Sequence, residues 1–263
     1  MQEVSVYFIG AGPGAMDLLT LRAERLIRRA DLILYADSLV NPEIATLAKP
    51  GAHVLGSSGM SLAEMVSRMT EAARAGRIVA RVHSGDPSIY GAIREQMVAL
   101  AAAGVSYAVV PGVSSVQAAA AALQVELTMP EVSQAVILCR AEDRTPVPER
   151  QRLSDLAGHG ATLAVYLSAA LVEKVVAELL QGGYAPGTPA EVVYRASWPE
   201  EQVVRGTLSD IAEAVRASGI RRQALILVGE ALKPVERGET ARTSRLYHPS
   251  FSHGHRAAST EGS

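Results

Sequence analysis

The sequence predicts an α/β protein of two domains, an N-terminal domain with a mostly parallel, doubly wound sheet and a C-terminal domain with a mixed sheet. Strand and helix patterns alternate regularly through the first half, which is typical of a parallel sheet. Three predicted strands in that half each lead into a glycine-bearing loop, at Gly10–Gly14, Ser84–Pro87 and Pro111–Ser115. In the second half, the predicted strands Ala190–Tyr194 and Gln202–Arg205 flank a short turn, which indicates pairing in a mixed sheet.

In the N-terminal half, β-branched and aromatic runs predict strands, and apolar residues at helical spacing predict helices. Asp17 is a candidate cap for the first helix, and Ser61 followed by Glu64 is a capping-box pattern. Pro42 suits the first turn of a short helix. In chain order, the predicted segments are strand Val4–Ile9, helix Leu18–Arg29, strand Leu32–Tyr35, strand His53–Leu55, a helix from Ser61 through Ala75, strand Arg77–His83, a helix that opens near Ile89 or Tyr90 and covers Ala92–Ala103, strand Tyr107–Val110 and helix Val116–Leu123.

The pattern changes after the predicted helix Val116–Leu123, and we expect domains at residues 1–113 and 114–232, followed by a mobile tail at 233–263. The segment Arg140–Arg152 is polar and contains prolines, so it is expected to be irregular. The remaining predicted segments are strand Ala135–Leu138, strand Thr162–Leu167, helix Leu171–Gln181, strands Ala190–Tyr194 and Gln202–Arg205, helix Leu208–Ser218 and strand Ala224–Val228.

Composition excludes several classes of protein. The net charge of −2 and the pI near 6.3 are unlike those of a nucleic-acid binder. No apolar run approaches the roughly 18 residues of a membrane-spanning helix, and the first residues lack the charged region of a signal peptide, so we expect a cytoplasmic protein without a membrane partner. Cys139 is the single cysteine and lies in an apolar run, which predicts a buried thiol.

The loop within Arg81–Gly91 is the strongest candidate for a binding site. Gly85 allows a sharp turn and a close approach of a ligand to the backbone, and Pro87 holds Asp86 towards an extended conformation. Ligands of open α/β sheets bind beyond the carboxyl ends of the strands, where this loop is expected. The alternative is a simple strand-to-helix turn in which Asp86 or Ser88 caps the helix.

A second interpretation is a dinucleotide site. Gly10, Gly12 and Ala15 follow a predicted strand at the spacing GxGxxA, and Asp37 lies just past the second strand. Pro13 argues against this interpretation, because it stands where a helix N-terminus should offer free N–H groups to a pyrophosphate. A nicotinamide- or flavin-binding oxidoreductase therefore remains an alternative function.

Other catalytic patterns are weak. No metal-ligand spacing is present. His83 lies between a strand and a loop, where a histidine is more often structural than a metal ligand. His253 and His255 fall in the expected tail. Ser84, Ser114 and Ser115 lack the GxSxG context of an activated serine. A cluster of arginines admits two interpretations, a solvated loop or a site for carboxylates, because acidic residues Glu142, Asp143 and Glu149 are interleaved with Arg140, Arg144, Arg150 and Arg152.

A family resemblance is carried by four stretches in this order: GAGPGAMDLLTLRA, SGDPSIYGAI, VPGVSS and QALILVG. Over Val4–Leu232 the chain resembles the tetrapyrrole methylase family, which implies an S-adenosylmethionine (SAM) dependent C-methyltransferase, a homodimer and a cofactor cleft between two domains. The resemblance implies cofactor contacts from Pro13, Ser84, Gly85, Asp86, Ile89, Tyr90, Ser114, Ser115, Leu167, Ala196 and Ala224.

The same resemblance implies a substrate rich in carboxylates, for which Arg140, Arg144 and Arg195 are candidate partners. Two further stretches, YADSLVNPEI and VILCRAEDRTPVPE, narrow the resemblance to one branch of the family. This chain departs from that branch at Asp37, Ser84 and Cys139, where glycine, threonine and threonine are expected. No catalytic residue or metal is implied with certainty, and Asp86, His83 and Asp37 are the candidates. A tetrapyrrole carrier without catalytic activity is a third possible function.

Overall fold

The computed structural model describes residues 4–233, 251–252 and 254–256. Its contacts divide the chain into two units. Unit 1 comprises Met1–Ala122 and Tyr194–Gln202, and unit 2 comprises Leu123–Val193 and Val203–Ser263. The domain limits expected from the sequence stay predictions, and the expected mobile tail, with His253, falls almost wholly outside the described residues.

Unit 1 contains a five-stranded sheet in the order β3-β2-β4-β1-β5, and the paired strands are parallel. This arrangement confirms the expected parallel, doubly wound sheet. Its elements are β1 (Val6–Gly10), α1 (Leu21–Arg29), β2 (Leu32–Tyr35), β3 (His53–Gly56), α2 (Leu62–Arg74), β4 (Val79–His83), α3 (Ile93–Ala102), β5 (Tyr107–Val110) and α4 (Ser115–Leu123).

Successive strand residues point to opposite sides of this sheet, and both sides are apolar. Helices therefore cover both faces. On one face, Ile9 and Val82 belong to a cluster with Ile27 of α1. On the other face, Phe8 belongs to a cluster with Met69 of α2 and with residues of α3. The connection from β1 leads past β4 to β2, whereas the connection from β4 leads past β1 to β5. The carboxyl ends of β1 and β4 therefore flank the switch point at which ligands of such sheets bind.

Unit 2 contains a mixed five-stranded sheet in the order β6-β7-β10-β8-β9, as the sequence indicates. The pair β6 and β7 is parallel, whereas β7 and β10 are antiparallel. Cys139 lies in β6 as a buried free thiol. The elements are β6 (Val136–Arg140), α5 (Leu153–Ala157), β7 (Thr162–Tyr166), α6 (Val172–Gln181), β8 (Pro189–Tyr194), β9 (Gln202–Thr207), α7 (Ile211–Ser218) and β10 (Ala224–Val228).

Several expected helix starts differ from the structure, and one short helix was not expected. The first helix begins at Leu21 and not at Leu18, because Thr20 caps it by accepting a hydrogen bond from the Ala23 N–H, while Asp17 lies in a separate 3₁₀ turn. The helix after the central loop begins at Ile93 rather than near Ile89 or Tyr90. Tyr90 and Ala92 have φ angles of 54° and 47°, which a right-handed helix cannot contain. The short helix α5 has no counterpart in the sequence-based expectation.

Candidate functional site

Three loops of unit 1 meet at the carboxyl ends of β1, β4 and β5. A Cβ atom added at Gly10 would lie 2.5 Å from the Gly85 carbonyl oxygen and 2.6 Å from Gly112 Cα. At Gly112, an added Cβ would lie 2.2 Å from the same carbonyl oxygen. Since real Cβ atoms essentially never approach so closely, these backbones can converge only with glycine at positions 10 and 112.

Hydrogen bonds join the first two of these loops. The Gly85 N–H donates to the Gly12 carbonyl at 2.7 Å, and the Gly12 N–H donates to the Gly85 carbonyl at 3.3 Å. Both residues have positive φ angles, 75° at Gly12 and 62° at Gly85, which residues with a side chain rarely adopt. The predicted glycine loops therefore converge at one edge of the sheet in unit 1.

Asp86 ties the second loop to the third. One carboxylate oxygen accepts a hydrogen bond from the Gly112 N–H at 2.9 Å, and the other accepts from the N–H of Ser88 at 2.8 Å and from its hydroxyl. Partial burial raises the pKa of Asp86, but the hydrogen bonds from Ser88 and Gly112 outweigh that effect and hold this pKa below its ordinary value. The carboxylate acts within its own loop and not as the cap of α3, since residue Ala92 at that position makes no side-chain capping bond.

His83 is the last residue of β4 and is only 5% exposed. Its ring lies 6.1 Å from the ring of Phe8, and its Nε2 atom has no hydrogen-bond partner among the described residues. Burial, with a smaller contribution from the charge of Arg81, lowers the pKa of His83 to about 3. The imidazole is therefore neutral at ordinary pH, which makes it a poor general base.

Arg81 is a buried cation two residues before His83, and it was not among the predicted site residues. Its guanidinium donates hydrogen bonds to Gln96 Oε1 at 3.1 Å, to Ser57 Oγ at 3.1 Å and to the Leu34 carbonyl at 3.2 Å. Burial lowers its pKa to about 10, so the side chain still carries its charge at neutral pH. A charged residue inside an otherwise apolar strand was the only sequence signal for this hydrogen-bond network.

Asp37 is held by the loop after β3. Its two carboxylate oxygens accept hydrogen bonds from the N–H and the hydroxyl of Ser58, each at 2.7 Å, and these bonds lower the pKa of Asp37. A Cβ atom at Gly56 would lie 2.6 Å from the carboxyl carbon of Asp37. The carboxylate is thus engaged within the protein, which disfavours the role of ribose acceptor that a dinucleotide site would require.

The first glycine loop is held by side chains that the sequence analysis did not single out as site residues. The Trp198 indole N–H donates to the Pro13 carbonyl at 2.9 Å, Asn41 Nδ2 donates to the Gly14 carbonyl at 3.0 Å, and Ser197 Oγ accepts from the Ala15 N–H at 3.0 Å. Trp198 and Ser197 belong to the segment Tyr194–Gln202, which groups with unit 1. No local sequence signal could have paired these distant positions.

Strained backbone is concentrated at the predicted site residues. Eight non-glycine residues of the described chain have positive φ angles, and three of them, Tyr90, Leu167 and Arg195, are predicted contacts of the cofactor or substrate. Two more, Ser197 and Gln223, directly adjoin the predicted contacts Ala196 and Ala224. Such backbone conformations cost free energy and are found most often at binding and catalytic sites. Their positions are an independent reason to keep these residues as candidates.

The other predicted cofactor residues are placed as follows. In unit 1, Pro13 is buried in the first loop, Ser84 and Ile89 are half-buried in the second, and Ser114 and Ser115 lie at the start of α4, where Ser114 is buried. In unit 2, Leu167 follows β7 and is 71% exposed, which is unusual for a leucine side chain, and Ala224 is the first residue of β10. Each assignment as a cofactor contact stays a prediction.

The predicted substrate arginines differ in their surroundings. Arg140 is committed to its own loop, because its guanidinium donates to the carbonyls of Ala141, Thr145 and Pro146 at 3.3, 3.0 and 2.7 Å. Arg144 lies within that loop and is exposed. Arg195 forms an ion pair with Glu200 at 3.3 Å.

The described residues contain neither a metal-ligand cluster nor a membrane-spanning helix. Across residues 4–233 and the few described positions beyond, no group of three or more histidine, cysteine, aspartate or glutamate side chains could hold a metal ion. In the same part of the chain, no helix has the length and apolar character to cross a membrane.

Comparison with known proteins gives consistent matches. The family model for Tetrapyrrole (Corrin/Porphyrin) Methylases matches residues 5–212. The cobalt-precorrin-4 C(11)-methyltransferase of Priestia megaterium is 51% identical over 96% of this chain and 98% of that protein. The precorrin-4 C(11)-methyltransferase of Pseudomonas aeruginosa is 48% identical over 96% of this chain and 99% of that protein.

Two solved structures extend the comparison. A cobalt precorrin-4 methyltransferase, described as a cobalamin biosynthetic enzyme, superposes with a TM-score of 0.86 at 53% identity, over 88% of this chain and 96% of that chain. The uroporphyrin-III C-methyltransferase of Thermus thermophilus, solved with S-adenosyl homocysteine, gives a TM-score of 0.72 at 32% identity, over 87% of this chain and 93% of that chain.

The buried neutral histidine predicts a specific pH dependence of stability. In the unfolded chain His83 takes up a proton near pH 6.5, whereas the folded protein resists protonation down to about pH 3. The free energy of unfolding should therefore fall by up to about 1.4 kcal/mol for each pH unit below the unfolded pKa, until the folded histidine also titrates. We expect His83→Leu to remove this part of the slope in urea unfolding between about pH 7 and pH 4. The exposed His159→Leu is the control, and parallel profiles for His83→Leu and the unmodified protein would contradict the assignment.

Proposed function

The chain belongs to the tetrapyrrole methylase family, and from that membership we propose that it is a SAM-dependent methyltransferase acting at C11 of precorrin-4 or of its cobalt complex. The proposal rests on relatives with this activity in their names, which are about half identical in sequence to this chain over nearly its full length. The product would be precorrin-5 or its cobalt complex. A homodimer, as the family resemblance implies, is part of the proposal.

The loops of unit 1 fit a cofactor that is recognised largely through backbone. An added Cβ at Gly85 would meet nothing closer than Ser114 Cα at 3.6 Å, so the glycine leaves a gap beside the third loop. Backbone groups and small side chains surround this gap, and the nearby Asp86 carboxylate already accepts hydrogen bonds on both oxygens. On the proposed function, the SAM contacts are the eleven residues that the family resemblance implies, from Pro13 to Ala224.

When bound, SAM supplies an already activated methyl group, whose transfer to a ring carbon leaves S-adenosylhomocysteine (SAH). The protein is then required chiefly to hold and align the reactants and to exclude water. Alignment of this kind can contribute roughly 7–11 kcal/mol to lowering a barrier. The residues beside the loops suit this task, because His83 is buried and neutral and Asp86 holds the second and third loops together. Asp86 and His83 are accordingly assigned no chemical step in this proposal.

The substrate side of the proposal rests on arginine. A precorrin carries several carboxylates, and guanidinium groups bind carboxylates with two parallel hydrogen bonds. Arg144 and Arg195 are assigned to direct contact. Arg140 is assigned to shaping the loop that presents Arg144, since three carbonyls of that loop accept its hydrogen bonds.

The function itself is tested by the position of the new methyl group. Incubation with precorrin-4 and SAM carrying a ¹³C-labelled methyl should give a product in which NMR correlates the label with C11. A label at C1, C17 or C20 would leave a methyltransferase but contradict the assignment to C11. The same assay with the cobalt complex identifies the preferred substrate from the ratio of kcat/KM values. A methylated protein residue after incubation with SAM alone would contradict direct transfer.

Gly85→Val should abolish SAH binding in isothermal titration calorimetry while the protein remains folded. The substitution places a branched side chain in the gap beside Ser114 and strains a residue with a φ of 62°. Gly76→Val is the matched control, because Gly76 has a φ of 71° but no atom within 4 Å of an added Cβ. Both variants should lose about 1–2 kcal/mol of stability from backbone strain, and only Gly85→Val should lose SAH. Unchanged SAH affinity in folded Gly85→Val would place the cofactor elsewhere.

Arg144→Ala should raise KM for the tetrapyrrole and leave the Kd for SAH unchanged. Loss of one charge-assisted contact corresponds to about 1.5–3 kcal/mol, or roughly a ten- to hundredfold rise in KM. Arg150→Ala, an exposed member of the same arginine cluster, is the control for a general effect of charge. If both variants behave like the unmodified protein, the cluster is a solvated loop.

A further inference from the structure

We propose that Trp198 is a positioning residue for the cofactor, and that it holds the first glycine loop in the conformation that receives SAM. This inference rests on the proposed function, because it concerns the loop to which SAM binding is assigned. Trp198 acts together with Asn41 and Ser197, and we call these three side chains the loop clamp.

The loop clamp fixes three backbone groups in a row. Trp198 binds the carbonyl of Pro13, Asn41 binds the carbonyl of Gly14, and Ser197 binds the N–H of Ala15, all at 2.9–3.0 Å. A loop whose consecutive peptide groups are each bound by a side chain has little conformational freedom. Binding to such a loop avoids the entropy cost of ordering it.

Gly14 leaves room for the indole ring of Trp198. An added Cβ at this position would lie 2.1 Å from Trp198 Cδ1 and 2.1 Å from Nε1, which is less than any real contact of such atoms. The ring therefore packs directly against the backbone of the loop, and a methyl group on Gly14 would displace it. This contact gives a way to disturb the loop clamp without altering Trp198 itself.

The turn that carries Trp198 is itself rigid. The Trp198 N–H donates to the Arg195 carbonyl at 2.9 Å, and the Ser197 N–H donates to a Glu201 carboxylate oxygen at 2.6 Å. The guanidinium of Arg195 stacks over the indole, 4.8 Å from its centroid, and pairs with Glu200.

Two features favour a role in binding over a role in folding alone. Arg195 and Ser197 have φ angles of 46° and 71°, so the turn retains strain that a purely structural turn could relieve with glycine. The same turn contains Ala196, and the loop that it holds contains Pro13, both of which are proposed cofactor contacts. The loop clamp thus connects two parts of one proposed site.

Trp198 is the only tryptophan in the chain, so tryptophan fluorescence reports on the loop clamp alone. We expect SAH titration to change this fluorescence, with a midpoint equal to the Kd from calorimetry. Trp198→Phe keeps an aromatic ring but removes the N–H, and should raise the Kd for SAH about three- to tenfold, the equivalent of one hydrogen bond.

Two further variants test the loop clamp from the other side. Asn41→Asp keeps the oxygen that accepts from the Glu43 N–H but replaces the donor to Gly14, and should also raise the Kd. Gly14→Ala should alter the fluorescence of the free protein and raise the Kd by about tenfold or more, because the ring is displaced. Gly187→Ala, where an added Cβ meets nothing within 4 Å, is the matched control.

The outcomes separate this inference from the proposed function. Failure of the unmodified protein to bind SAH in calorimetry would overturn both. If SAH binds but leaves the fluorescence unchanged, and the folded variants bind it as tightly as the unmodified protein, the inference is wrong while the function stands. Lower melting temperatures with an unchanged Kd would assign the three side chains to folding only and equally overturn it. If Trp198→Phe does not fold, Asn41→Asp and Gly14→Ala decide the question by the same criteria.

Discussion

The structure of unit 1 depends on a close approach of backbones that only glycine allows. Because β1 lies between β4 and β5, the loops after all three strands leave the sheet at one place, and Gly10, Gly85 and Gly112 occupy the point where they meet. The Asp86 carboxylate then joins the second loop to the third through the Gly112 N–H. The order of the strands, the glycines and the Asp86 carboxylate together hold the three loops at one place.

The electrostatics of this region favour positioning over chemical participation. Arg81 is charged but buried, and its guanidinium donates hydrogen bonds to Leu34, Ser57 and Gln96. Burial, with a smaller contribution from the charge of Arg81, keeps His83 neutral, and hydrogen bonds keep Asp86 ionised. A reaction between an activated methyl donor and an electron-rich ring needs little more from a protein than such fixed surroundings. The absence of a recognisable catalytic motif in the sequence agrees with that requirement.

Local patterns predicted the elements well and the long-range contacts poorly. Strands Tyr107–Val110 and Ala224–Val228 have the expected limits, because β-branched and apolar runs between turn residues leave little choice. Helix starts were harder, since Asp17 and Thr20 are both residue types that cap helices, and the structure has Thr20 in that position. The glycine loops were found because turn chemistry is local. Trp198 was not identified as a site residue, because its partner Pro13 lies 185 positions away and no periodicity connects them.

Unit 1 consists of two stretches that are distant in the sequence, so its parts are synthesised at different times. Tyr194–Gln202 groups with a unit whose other residues end at Ala122. During synthesis the ribosome therefore completes the parallel sheet long before it delivers the turn that binds the Pro13 carbonyl and the Ala15 N–H. A nascent chain that stops short of this turn has the strands of unit 1, but its first loop lacks the bonds to Trp198 and Ser197, and a fragment cut after Ala122 lacks them too. The first loop can therefore gain its bonds to Trp198 and Ser197 only after most of the chain has been made.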